Sequence, residues 1–197
     1  MQEILTGVRH WVARHPNTGL ESSSFWVPDA GAVIDPLMPD EGIGAFAEGP
    51  PDRVLLSNRH HLRHAERFAA EHACTIHCSE LGLHEFEGEP VEVHGFSFGD
   101  EVAPGIEALE VGAICPDESA LLISAAGALV IADGVVNYGG GMRFVPDGLL
   151  GDDPEGVKRG LREAYSALLD REFDNLLFAH GDPIVGGGKE TLREFCR

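Results

Sequence analysis

The sequence predicts an α/β protein in which two β-sheets lie between outer helices. Three observations lead there. Short apolar runs of strand length alternate with amphipathic helical patterns in both halves of the chain. Three of those runs stop at a polar residue: "VLLSN" at Asn58, "ALVIAD" at Asp133 and "NLLFAH" at His180. Finally, 43% of the 197 residues are apolar or aromatic, enough for one domain over residues 1–197 with a substantial core.

The elements follow in order. "SSSFWVPDAGAVIDP" (22–36) predicts a hairpin, with "PDAG" supplying the turn. "DEGIGAFAE" (40–48) allows a short helix. "DRVLLSN" (52–58) predicts a buried strand, rich in Val and Leu and bounded by "GPP". "RHAERFAAEHA" (63–73) predicts a helix with Ala65, Phe68, Ala69 and His72 on one face. "CTIHC" (74–78) is the next short strand, and "SELGLHEF" (79–86) a short helix capped by Ser79. From Val91 to Tyr138, short strands separated by "GDEVAPG", "PDES" and "AAG" predict an antiparallel meander. Residues 137–156 form a glycine-rich loop. Residues 153–172 form a helix, with Asp152 or Asp153 as cap and Pro154 in its first turn. "NLLFAHG" (175–181) is a buried strand ending in a histidine, and "GGKETLREF" closes the chain as a helix.

Charge narrows the function classes. Acids number 33 against 14 Lys plus Arg, a net −19, and the only lysines are Lys158 and Lys189. Such a chain repels phosphate backbones and anionic bilayers, so neither nucleic acid nor membrane is an expected partner. No stretch approaches the ~20 apolar residues of a membrane span. The start, "MQEILTGVRHW", lacks the basic and apolar regions of a secretory signal. Four cysteines are too few for a disulfide scaffold at this length, so reduced thiols and a cytoplasmic location are expected. "CTIHC" reads as a buried strand rather than a ligand cluster.

The polar strand ends suggest a site, because a strand fixes position while the loop beyond it gives access. In order and motif the chain resembles the metallo-β-lactamase superfamily over nearly its whole length. "SSSFWVPDAGAVIDP" resembles the family's opening hairpin. "VLLSNRHHLRHAERFAAEHACTIHCSE" resembles its strand, His-x-His-x-Asp-His loop, helix and strand. "IEALEVGAICPDESALLI" takes the place of the Pro-Gly-His segment. "LVIADGVV" resembles the strand carrying the bridging aspartate, and "LLFAHGDPIVGGGKETLREF" the terminal strand, loop and helix. The resemblance implies a four-layer αββα sandwich with the site at one edge.

It also implies a reduced ligand set. The histidine-rich loop aligns with Asn58, His60, Leu62 and Arg63, and the Pro-Gly-His histidine aligns with Ala113. Only His60, Asp133 and His180 keep ligand chemistry among the seven positions. Two histidines and a carboxylate suit one zinc or ferrous ion, so a single divalent ion is expected and the family's dinuclear centre is not. His64, four residues after His60, is the candidate fourth ligand. His61 is expected on the solvent-side rim, with Asn58, Arg63 and Ala113 lining the site. A single ion would suit hydrolysis of a small-molecule ester, thioester or lactam-like carbonyl, in a pocket shaped by Tyr138, Met142 and Phe144. The alternative is a catalytically inactive member acting in binding or assembly, its site plugged by an Arg63–Asp133 pair. Exposed apolar strand edges make a homodimer an expectation under either reading.

Overall fold

Buried apolar residues fall into three clusters, and these define the layers. The computed structural model describes residues 1–197. One sheet contains β1 (Gln2–Leu5), β2 (Val8–Arg14), β3 (Glu21–Val27), β4 (Ala32–Ile34), β5 (Arg53–Leu55), β6 (Thr75–Ser79) and β7 (Val93–Phe96), in that spatial order. Pairing is antiparallel from β1 to β4 and parallel from β4 to β7. The second sheet begins with the antiparallel meander of β8 (Glu101–Ala103), β9 (Ile106–Glu110), β10 (Ser119–Ile123) and β11 (Ala128–Ile131). A separate hairpin follows, β12 (Val135–Asn137) with β13 (Met142–Phe144). The second sheet is completed by β14 (Asn175–Phe178), parallel to β11.

Between the sheets lie Phe25, Ile34 and Leu55 from one and Ile106, Leu121 and Val130 from the other. Side chains alternate across a strand, so Trp26, Val33 and Val54 point to the opposite face. There they pack with Phe46 and with Ala65 and Phe68 of α1 (Ala65–His72). Leu122, Leu129 and Leu176 likewise face α2 (Pro154–Leu168) and α3 (Gly188–Phe195), meeting Leu161, Tyr165 and Leu192. The result is the αββα sandwich. Burial on both faces explains why "VLL" and "ALVI" are continuous apolar runs rather than alternating ones. No helix is long and apolar enough to cross a membrane.

Several expectations change. The first strands, β1 and β2, lie in a stretch where no element was expected; exposed Glu3, Arg9 and Val12 on this edge hairpin blur the alternation. "VHGF" leaves the meander and extends the first sheet beside β6. The strand expected over 52–58 is only three residues long, and Leu56, Ser57 and Asn58 continue buried but outside the ladder. Ser79 does not cap the following 3₁₀ segment, and its buried hydroxyl has no partner. Asp153 does cap α2, accepting from the Gly156 N–H at 2.9 Å, but the helix ends at Leu168 rather than 172. The glycine-rich loop contains the β12–β13 hairpin.

Candidate metal centre

Parallel pairing delivers two site residues side by side. Ile131 of β11 is in register with Phe178 of β14, so the residues two positions on, Asp133 and His180, leave the sheet together. The third comes from the first sheet. Beyond β5, Asn58 opens a 3₁₀ turn, Arg59–His61, and caps it by accepting from the His60 N–H at 2.9 Å. Residues three apart eclipse in a 3₁₀ turn. Asn58 and His61 therefore reach the same target: Asn58 Nδ2 donates to Asp133 Oδ2 at 3.0 Å, and His61 Nε2 lies 3.0 Å from Asp133 Oδ1. His180 Nε2 lies 3.1 Å from the same oxygen. The ligand atoms of His61, Asp133 and His180 all fall within 4.8 Å of one another.

Each imidazole is oriented from behind. His61 Nδ1 faces Asp35 Oδ2 at 3.0 Å and Ser57 Oγ at 2.9 Å. Asp35 is fully buried, with φ +48°, and also accepts from the Ser57 N–H at 2.8 Å and the Ser57 hydroxyl at 2.6 Å. His180 Nδ1 donates to the Glu21 carbonyl at 3.3 Å. With both Nδ1 positions partnered, two Nε2 atoms converge on one carboxylate oxygen. That focus demands a cation, either a proton or a metal ion. Burial and the Arg63 guanidinium both oppose protonation of His61, yet Asp133 and Asp35 outweigh them and raise its pKa to about 9. Burial likewise opposes ionisation of Asp133, but His61 and His180 hold its carboxyl well below the usual range.

The turn geometry corrects the expected ligand set. His60, two residues from Asn58 and so off the face that eclipses it, is exposed on the wall of the cleft and outside the cluster. His61 is buried at the cluster rather than on the rim. His64 turns away: its Nδ1 accepts from the Met38 N–H at 2.8 Å as α1 begins. Ala113 packs in the cluster beneath α2, and its neighbour Ile114 lines the cleft instead. Arg63 does not pair with Asp133. From a left-handed backbone, φ +44°, its Nη1 donates to the carbonyls of Ser23 at 2.9 Å and Asp35 at 2.7 Å. Its Nη2 rests 3.2 Å from His61 Nε2.

The sequence also concealed a clasp in "PDES", expected only as a turn. Asp117, fully buried, accepts from the Arg59 N–H at 2.6 Å and from Arg59 Nη1 at 2.8 Å, holding the turn that carries His61. Glu118, also fully buried, accepts from Gly134 N–H at 3.1 Å and Ile114 N–H at 3.2 Å, holding the segment after Asp133. Ser119 bonds the Ser57 carbonyl through its hydroxyl at 2.9 Å. Two acids in an otherwise apolar stretch carry no sequence mark that separates a clasp from a turn.

Above the cluster opens a cleft of about 520 Å³. Leu20, Ile114, Val136, Tyr138, Val145 and Leu149 form most of its wall, with His60 and Arg143 among the polar groups. Met142 and Phe144 pack instead towards the α2–α3 cluster, Phe144 with its ring centroid 4.7 Å from that of Phe195. The hairpin is anchored beside His180: Asn137 N–H donates to the His180 carbonyl at 3.2 Å. Gly181, at φ +112°, is required here, because a Cβ would lie 2.1 Å from the Asn137 oxygen. A second concavity, about 590 Å³ between the N-terminal hairpin and Asp182–Pro183, holds no converging ligand group. The "CTIHC" cysteines are buried in the first sheet's outer cluster, where burial pushes the Cys74 thiol up to about 11 and that of Cys78 to about 12.

No family model matches the sequence, and no curated protein does either. Solved structures do match. The DIM-1 metallo-β-lactamase superposes with a TM-score of 0.74 at 13% identity, over 99% of this chain and 95% of that one. A metallo-β-lactamase family protein from Thermus thermophilus gives 0.68 at 16% identity, over 98% of this chain and 79% of its own. The metal-soaked Flv1 flavodiiron core from Synechocystis sp. PCC6803 gives 0.70 at 14% identity. The chain covers 98% of itself in that match but only 59% of the flavodiiron core. The two-sheet topology, the strand ends that bear the site and these superpositions lead to one conclusion: the chain has the metallo-β-lactamase fold.

Proposed function

We propose that the protein is a hydrolase of small-molecule esters, thioesters or lactam-like carbonyls, working with one divalent ion held by His61, Asp133 and His180. The observation that carries this reading is the convergence of two Nε2 atoms on one carboxylate oxygen, each imidazole oriented through its Nδ1 by a carboxylate or carbonyl. Metal-binding histidines are characteristically held in that way, and two histidines with a carboxylate suit zinc or ferrous iron. The donor set fits one ion rather than two, since Asn58, Leu62, Arg63 and Ala113 add no further ligands. Bound there, a divalent ion supplies Lewis acidity, lowering the pKa of water and polarising a carbonyl oxygen.

The chain's own residues do the rest. Asn58 fixes the second oxygen of Asp133 by an N–H donor, so that Oδ1 alone faces the two histidines. Asp35 and Ser57 fix the ring of His61. The apolar cleft walls limit water beside a bound substrate. The net charge of −19 favours small molecules over nucleic acid, and four free cysteines suit a reducing cytoplasm.

One observation favours a second reading, a non-catalytic binding protein. The Arg63 guanidinium beside His61 Nε2 repels a dication, and a protonated His61 already satisfies Asp35 and Asp133. Metal analysis of protein purified without chelator separates the two. About one zinc, iron or manganese per chain, lost in His61→Ala and His180→Ala but kept in His60→Ala and His64→Ala, is the result expected. Metal-free protein whose thermal melt ignores added zinc, iron and manganese refutes the single-ion reading and leaves the binding one.

A further inference from the structure

Side-chain alternation divides "CTIHC" between two environments. Cys74, Ile76 and Cys78 face the first sheet's outer cluster, so Thr75 and His77 face the second sheet. His77 is in register with Leu55 of β5 on one side and with His94 of β7 on the other. Along that row exposure rises outward: Leu55 is fully buried, His77 is half-buried, and the His94 side chain is 42% exposed. Since β7 is the outermost strand, the row ends in a pair of imidazoles at the rim of the sheet. Their ring centroids lie 5.4 Å apart, with the planes tilted at 40°. Neither ring belongs to the candidate metal centre.

Each ring has an oxygen behind it. Thr75 Oγ1 lies 2.8 Å from His77 Nε2 and 3.5 Å from the Asp52 carbonyl, so the hydroxyl donates to the carbonyl and accepts from Nε2–H. That leaves the Nδ1 lone pair of His77 free. The Glu92 carboxylate faces His94 Nδ1 at 3.9 Å, which favours a proton there and the lone pair on Nε2. Such partners set the tautomer and orientation of metal-binding histidines. Two imidazoles on one ion, at about 2.0–2.1 Å per nitrogen, place their centroids roughly 5 Å apart, close to the separation observed. Burial lowers the pKa of His77, and His94 and Arg53 lower it further, so the ring is neutral at pH 7.5 and free to bind a cation. The surrounding field also favours one. No Lys or Arg occurs between Arg67 and Arg143, while Glu85, Glu87, Glu89 and Glu92 lie along the chain between His77 and His94. Arg53, on the neighbouring strand, is held by Asp52 at 2.9 Å and by the Val102 carbonyl at 3.0 Å.

We propose that His77 and His94 form a second metal site, taking one zinc, nickel or cupric ion through one nitrogen of each ring, with water in the remaining positions. Imidazole ligands suit these ions rather than magnesium or calcium. The ion acts as a clip. It ties β7, which is paired on one side only, to β6. The site is separate from the proposed hydrolase centre, and neither reading depends on the other.

Zinc titration by calorimetry at pH 7.5 tests it, in His180→Ala to weaken the candidate centre. One zinc should bind there and be lost when His77→Gln or His94→Gln is added. Thr75→Val, which removes only the orienting hydroxyl, should weaken it about tenfold. His84→Gln, at an exposed position outside the pair, should change nothing. In the unaltered protein, His77→Gln and His94→Gln should each lower bound zinc by one per chain, whatever the candidate centre holds. Zinc should also slow hydrogen exchange of the Val93–Phe96 amides, and should not do so in His94→Gln. Absence of zinc binding to His180→Ala at millimolar zinc overturns the proposal, as does zinc that survives both glutamine substitutions. Zinc that binds through the pair without slowing exchange in β7 overturns the clip.

Discussion

Glu118→Gln should reverse the sign of its effect on stability between pH 4.5 and pH 8. Glu118 is fully buried in the clasp between β9 and β10, one oxygen on the Gly134 N–H and the other on the Ile114 N–H. Burial dominates its titration. With nearby Asp133 it outweighs the two N–H donors and His61, raising the carboxyl from 4.5 to about 7. Because the folded pKa lies above the unfolded one, the side chain's contribution to stability is full below pH 4.5 and is lost as pH rises through about 7. At about 1.4 kcal/mol per pH unit, that loss is about 3.5 kcal/mol. Glutamine cannot ionise, but its amide nitrogen must face one of the two N–H groups, at a cost of about 1–3 kcal/mol at every pH. The variant should therefore be the less stable protein at pH 4.5 and the more stable one at pH 8. Urea unfolding read from the buried Trp11 and Trp26 measures both curves. Asp35 and Asp133, depressed below the ordinary range, act at more acidic pH. The His61 contribution, present below 6.5 and lost through about 9, is found in both proteins and changes only through its coupling to Glu118. A stability difference constant to within about 0.5 kcal/mol across the range, the scatter of a neutral surface change, would show that ionising Glu118 costs nothing and would refute the argument.

Two further substitutions test the supports around the site. Arg63→Ala removes two charge-assisted bonds to the Ser23 and Asp35 carbonyls and should cost about 2–4 kcal/mol in denaturant. Arg63→Gly should be about 1 kcal/mol more stable than Arg63→Ala, since the backbone there has φ +44°. Equal stabilities would mean that the left-handed geometry carries no strain. Tyr165→Phe removes a buried hydroxyl without a partner and should leave stability unchanged or raised by up to about 1 kcal/mol. A loss beyond about 1 kcal/mol in the same unfolding assay would reveal a hydrogen bond at that hydroxyl.

The layers were legible because they depend on burial, and burial leaves a period in the sequence. "VLL", "ALVI" and "NLLF" are apolar throughout because each strand is covered on both faces, and the helical stripe of Val157, Leu161, Ala164 and Leu168 marks the face of α2 that covers the second sheet. The edge was less legible. In β2 the exposed Arg9, Val12 and Arg14 share the strand with buried Val8 and Trp11, so no clean alternation announces it. "VHGF" looks like one more strand of a meander because strand identity is local, whereas the choice of partner, β6 rather than β8, depends on residues far along the chain.

The convergence of Asp133 and His180 in the candidate site was legible for the same reason as the fold. Each follows a buried strand, the strands are in register, and register fixes both residues together. The histidine turn follows a different rule. The family resemblance selects His60, two positions after Asn58, a spacing that suits an extended loop whose alternate side chains share a face. The chain instead tightens into a 3₁₀ turn, because the Asn58 side chain takes the His60 N–H and Asp117 takes the Arg59 N–H. Those two bonds change the repeat from two to three, and with it the converging residue from His60 to His61. Both cap acceptors are visible in the sequence, but one lies 58 residues from its partner. The change of converging residue is therefore decided by a tertiary contact, from a clasp whose two acids are buried where a sequence pattern alone would leave them exposed.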